Sequence, residues 1–68
     1  MRAVTGRELA RAVEGKGWTL LRVTGSHHIY GKADSQIRLS IPIHDSRPLK
    51  TGLAAFLIKQ AGLSESDL

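Results

Sequence analysis

The chain contains no cysteine, so neither a disulfide framework nor a thiolate zinc site is available to staple it. Long apolar runs are missing as well. The longest, Leu53-Ala54-Ala55-Phe56-Leu57-Ile58, falls far short of the roughly 20 residues a membrane-spanning helix needs. The opening residues, Met1 to Glu8, carry charge with no apolar stretch behind them, so neither a signal peptide nor a transmembrane helix is expected. These absences suit a soluble, cytoplasmic protein. Repeats and low-complexity segments are also lacking. The 68 residues make one domain, residues 1–68, and a chain this short buries only about 60% of its unfolded-state surface.

Acidic residues are the next scarcity. Lys and Arg number 10 against 6 Asp and Glu, and two of those acids, Glu65 and Asp67, stand in the last four residues. A basic surface on so small a domain favours an anionic partner such as nucleic acid, a membrane headgroup or an acidic protein.

Thr5-Gly6-Arg7-Glu8 has the spacing of a capping box, with Val4 and Leu9 at the flanking staple positions. The helix it starts presents Leu9, Ala12 and Val13 on one side and ends at Gly15 or Gly17. Trp18 to Thr24 has strand composition without clean alternation, which predicts a strand buried on much of both faces. Gly25-Ser26 reads as a hairpin turn into a second strand, His27 to Gly31, and Lys32 to Ser35 reads as the next turn. Gln36 to Ile41 alternates strictly, with Ile37, Leu39 and Ile41 expected in the core. Pro42 cannot donate to a ladder, so pairing should fade there. After a loop over Ile43 to Pro48, a second helix is expected from Lys50 or Thr51, burying Leu49, Leu53, Phe56, Leu57 and Ala61 and stopping at Gly62. Ser64 to Asp67 repeats the capping-box spacing at the end.

The order is helix, strand, strand, strand, helix. It predicts an α+β fold (α-β-β-β-α) in which two helices cover one face of a three-stranded antiparallel sheet and the other face stays open.

His27 and His28 are neighbours on a strand and so point to opposite faces. If Tyr30 is the core residue, His28 lies inward and His27 outward; if Ile29 is, the two exchange. The outward histidine would share its surface with some of Arg22, Lys32, Arg38 and Ser40, an arrangement that sets phosphate-holding cations beside a proton-transfer group. Arg47, Lys50 and the free N–H groups at the start of the second helix form a second anion-binding locus. His44 reads as a residue that shapes this loop. It lacks the cysteine or the carboxylate spacing that would make it a metal ligand, so no metal and no cofactor is expected.

Gly17-Trp18, Arg22, Gly25-Ser26-His27-His28-Ile29-Tyr30, Ile41-Pro42-Ile43-His44, Gly52-Leu53 and Leu57-Ile58-Lys59-Gln60-Ala61-Gly62-Leu63 occur in this order over nearly the whole chain. Together they resemble the HicA family. The resemblance implies a fold similar to the double-stranded RNA-binding domain and an mRNA endonuclease acting as the toxin of a bacterial toxin–antitoxin pair. A HicB-type antitoxin would be its protein partner and RNA its substrate. The family's functional histidine maps to His27 or its neighbour His28, with His27 favoured because family members generally carry an aromatic where Tyr30 stands. Gly25, Ser26, Arg22, Lys32, Arg38 and Lys50 are the expected RNA-binding residues. Leu53 departs from the threonine often found after the glycine in the family. The alternative expectation is a non-catalytic RNA-binding module on the same fold. One histidine cannot serve as acid and base at once, and the residues leave the second group unnamed.

Overall fold

The structure, a computed structural model, describes residues 2–68. Helix α1 (Gly6–Gly15) is followed by strands β1 (Thr19–Thr24), β2 (His27–Lys32) and β3 (Ser35–Pro42), helix α2 (Thr51–Ala61) and a short 3₁₀ turn over Glu65–Asp67. The strands form one antiparallel sheet in the order β1-β2-β3. The expected α-β-β-β-α order, with an open sheet and a double-stranded-RNA-binding-domain-like arrangement, is therefore the observed one.

The caps explain where the helices begin and end. The Thr5 hydroxyl accepts the Glu8 N–H at 3.1 Å, and the Glu8 carboxylate accepts the Thr5 N–H at 2.9 Å. That backbone hydrogen bond, helped by Arg2, holds the Glu8 carboxyl below its usual range. Val4 and Leu9 are both buried around the box, as the staple requires. Gly62 closes α2 in the left-handed conformation at φ 73°, where a Cβ would be strained.

The core lies between the helices and the β2–β3 half of the sheet. Tyr30 is the buried large side chain of β2 and pairs with Leu39, while Ile41 lies two residues further on the same face of β3. Against them pack Val4, Leu9 and Val13 from the α1 side and Leu57 and Ala61 from α2. Trp18, just ahead of β1, completes the cluster and donates its indole N–H to the Ala61 carbonyl at 3.2 Å.

Three burial expectations are corrected. First, β1 is not buried on both faces; every one of its residues is exposed. It is an edge strand, and among the strands the helices touch β3 most. Its lack of alternation comes from a bulge: Leu20 pairs with Tyr30 but Arg22 pairs with Ile29, leaving Leu21 as the extra residue. Second, Ile37 is 41% exposed although it has the parity of Leu39. The β2–β3 register shifts from Tyr30↔Leu39 to Lys32↔Ser35, so three residues of β3 stand opposite Gly31 alone and Ile37 leaves the regular ladder. Third, the buried side of α2 is Ala54, Leu57 and Ala61, while Phe56 is 58% exposed and Leu53 stands at the surface.

Candidate functional site

The end of the sheet where β1 turns into β2 is fixed by a short chain of local causes. Gly25 takes φ 59° at the first position of a two-residue turn, a conformation open to glycine at little cost. The turn is then tied to the chain leaving β3: the Ser26 carbonyl accepts the Ile43 N–H at 2.8 Å. Ser26 Oγ also lies 3.1 Å from His44 Nε2. His44 in turn accepts the Arg47 N–H on its carbonyl at 3.1 Å, closing a turn in which Asp45 is left-handed at φ 54°.

Burial of Tyr30 decides which histidine faces which way. Side chains alternate along a strand, so His28 shares the covered face with Tyr30, and His27 and Ile29 share the open one. His28 is half-buried, and its Nδ1 is buried without a hydrogen-bond partner among the described residues. His27 is exposed, flanked by its ladder neighbours Thr24 on β1 and Pro42 on β3.

Pro42, the ladder partner of His27, also lines a cleft of about 420 Å³. Pro48, Leu49 and Leu53 contribute its apolar lining, and His44, Arg47 and Lys50 its polar one. The cleft is held open by the amino end of the chain. Thr5 bridges to Pro48, the Val4 carbonyl accepts the Leu49 N–H at 2.7 Å, and Gly6 lies so close to Pro42 that a Cβ there would run into the Pro42 carbonyl oxygen. Lys50 is the N-cap of α2 and offers no side-chain cap, and the first turn carries no acid, so the helix presents N–H donors and its positive dipole end on this side.

The sequence-derived residues divide between the two ends of the sheet. Gly25, Ser26 and His27 sit together at the turn, and Lys50 lines the cleft with His44, whose ring meets Ser26. Arg22 lies on the open face in line with Ile29, one same-face step from the Thr24–His27 pair, or roughly 6–7 Å along the strands. Arg38 stands at the far end, where its guanidinium donates to the Ser35 and Ile37 carbonyls and lies over Gly31. Lys32 lies there too, lining a shallow pocket with Arg38, and its ammonium is 5.5 Å from the centre of the Trp18 ring. Among the described residues no cluster of three or more His, Cys, Asp or Glu side chains could hold a metal ion.

Sequence reasoning placed His44 in the loop and missed its reach to Ser26. The available signal was Pro42. By ending the ladder directly opposite His27, it returns the following residues to the hairpin turn.

A small α-β-β-β-α domain with one open sheet face, and a histidine-bearing hairpin beside a basic cleft, defines a double-stranded-RNA-binding-domain-like protein. The family model described as the HicA toxin of bacterial toxin–antitoxin systems matches residues 6–63. The chain belongs to the HicA toxin family. No match is found among curated proteins. No helix among the described residues is long and apolar enough to cross a membrane.

Proposed function

We propose that this HicA-family protein is a metal-independent endoribonuclease that cleaves mRNA, with His27 as a proton-transfer group, and that a HicB-type antitoxin restrains it. The observation that carries this reading is the position of His27: exposed on the open face and paired with Pro42, which lines a cleft that also bears Arg47 and Lys50. On this reading an RNA strand whose phosphates meet those two cations and the α2 N-terminus runs past Pro42 to the His27 imidazole. Phosphate contacts of this kind position a strand with little base reading. A histidine so placed contributes about 10²–10⁴-fold as a general acid or base. His28, on the covered face with its ring half-buried, supports the sheet instead.

The test is incubation of the purified protein with a long single-stranded RNA in excess EDTA, beside the His27→Ala and His28→Ala variants. Cleavage by the wild type and His28→Ala, ending in 2′,3′-cyclic phosphates, with intact RNA from His27→Ala, is the expected result. Intact RNA in every tube, with binding retained, would make the protein an RNA-binding module.

A further inference from the structure

We infer that His44 is the second proton-transfer group of the cleavage reaction, acting with His27 from the opposite side of the bound phosphate. The inference rests on the ribonuclease reading above and supplies the partner that one imidazole lacks.

Cleavage within the strand needs two proton movements. A base takes the proton from the 2′-hydroxyl as O2′ attacks phosphorus. The bond from phosphorus to O5′ breaks with its electron pair, and an acid protonates the departing O5′. The products are a 2′,3′-cyclic phosphate and a 5′-hydroxyl; one imidazole has gained a proton and the other has given one up, and no further reactant is consumed. The chemistry therefore asks for two groups flanking one phosphate.

Three observations favour His44 for the second group. Its Nε2 lies 3.1 Å from the Oγ of Ser26, the residue immediately before His27. Pro42 is the ladder partner of His27 and also lines the cleft that His44 lines, so a single residue links His27 to that cleft. The His44 backbone is fixed on both sides, by Ile43 N–H to the Ser26 carbonyl at 2.8 Å and Arg47 N–H to the His44 carbonyl at 3.1 Å. A ring held in this way loses little freedom on meeting substrate, which is what proton transfer at a set distance demands. His44 is exposed, and the Ser26 contact engages Nε2 alone, leaving Nδ1 for the strand. Arg47 and Lys50 share the cleft with it, Asp45 follows it in the chain, and Arg22 lies along the sheet from His27.

The alternative is that His44 only latches the Gly25–Ser26 turn. The two roles separate in the pH dependence of single-turnover cleavage, measured with enzyme in excess in EDTA. The wild type is expected to give a bell with two inflections. His27→Ala and His44→Ala should each be slower by about 10²–10⁴-fold, each should keep one inflection, and the two should keep different ones, with RNA affinity and the melting curve close to wild type. A His44→Ala enzyme that cleaves at the wild-type rate, or slowly with both inflections kept, overturns the inference while the His27 reading stands. A fall in His44→Ala beyond what one proton-transfer group supplies, or a fall in RNA affinity with it, also overturns it and makes His44 a latch. A wild type that cleaves nothing removes both readings together.

Discussion

The Tyr30 hydroxyl donates to the Glu14 carboxylate at 2.7 Å, joining the middle of the sheet to the last turn of α1. Tyr30 is 2% exposed, so this bond satisfies a polar tip whose ring is wholly in the core. Its consequence reaches the other end of β2. A tyrosine fixed inward at position 30 places residue 28 inward and residue 27 outward, so the orientation of His27 is set by a contact made with another element.

Burial, and then the Glu14 carboxylate, push the Tyr30 phenol up to about 12. The folded value stands above the ordinary value of 10.0. The group's contribution to stability is therefore complete below pH 10 and is lost as pH rises through about 12. Tyr30 is the only tyrosine in the chain, so absorbance near 295 nm reads it directly. The expected titration midpoint is near 12. Glu14→Gln should lower it only partway, because burial is the larger cause and remains. A midpoint at the ordinary value in the folded protein would contradict the buried, hydrogen-bonded ring.

Gly6 and Gly15 stand at the two ends of α1 and should answer oppositely to the same change. A Cβ on Gly6 would collide with the Pro42 carbonyl oxygen, a backbone atom that cannot swing aside, whereas a Cβ on Gly15 meets nothing within 4 Å. Gly6→Ala is expected to destabilise by about 1–3 kcal/mol. Gly15→Ala should be neutral or stabilise by up to about 1 kcal/mol, through the unfolded chain and helix propensity. Urea midpoints of the two variants decide it. Equal shifts would show that α1 does not press on the Pro42 end of β3.

Local signals made most of this architecture legible. The capping box at Thr5–Glu8, the glycine turn at Gly25 and the stop at Gly62 are written in residue types whose geometry needs no tertiary context. What the sequence could not supply was which strand the helices cover and where registers slip. Leu21 looks like one more apolar residue in a buried run, yet it is the bulge of an exposed edge strand, because nothing packs over β1 as over β3. Ile37 keeps the correct alternation and still leaves the core, since a shift in pairing with β2 is not visible as a change of period. The site divides in the same way. His27 and Lys50 could be named from residue type and resemblance, while the approach of His44 to Ser26 depends on where Pro42 ends the ladder.

His28 makes a prediction that separates its role from that of its neighbour. Its Nδ1 is buried without a partner among the described residues, which costs about 1–3 kcal/mol relative to a satisfied group. Its ladder neighbours are Val23 and Ile41, both apolar. His28→Leu should therefore stabilise by about 1 kcal/mol, raising the melting temperature by roughly 4–8 °C for a domain of this size. RNA cleavage should persist in the variant. A drop in melting temperature would mean that the ring is better satisfied than its surroundings indicate, and loss of cleavage in a folded variant would move the catalytic assignment to His28.

Arg47 and Lys50 share the cleft lined by Pro42, the ladder partner of His27, with no acid in the first turn of α2 to neutralise them. Their role on the proposed reading is to hold phosphate, and binding of that kind carries two signatures. Arg47→Ala or Lys50→Ala should weaken binding of unrelated single-stranded RNAs by similar factors, because no base edge is being read. Each should also make the logarithmic salt dependence of affinity shallower by about 0.7 for every phosphate that is no longer neutralised. Lys16→Ala is the comparison, since that ammonium is engaged with the Asp67 carboxylate at 3.3 Å, and it should leave the slope close to wild type. Fluorescence anisotropy across a salt series reads both signatures at once. If Lys50→Ala weakens one RNA sequence far more than another and leaves the salt slope unchanged, Lys50 is reading bases, and the cleft is a specificity pocket in place of a phosphate clamp.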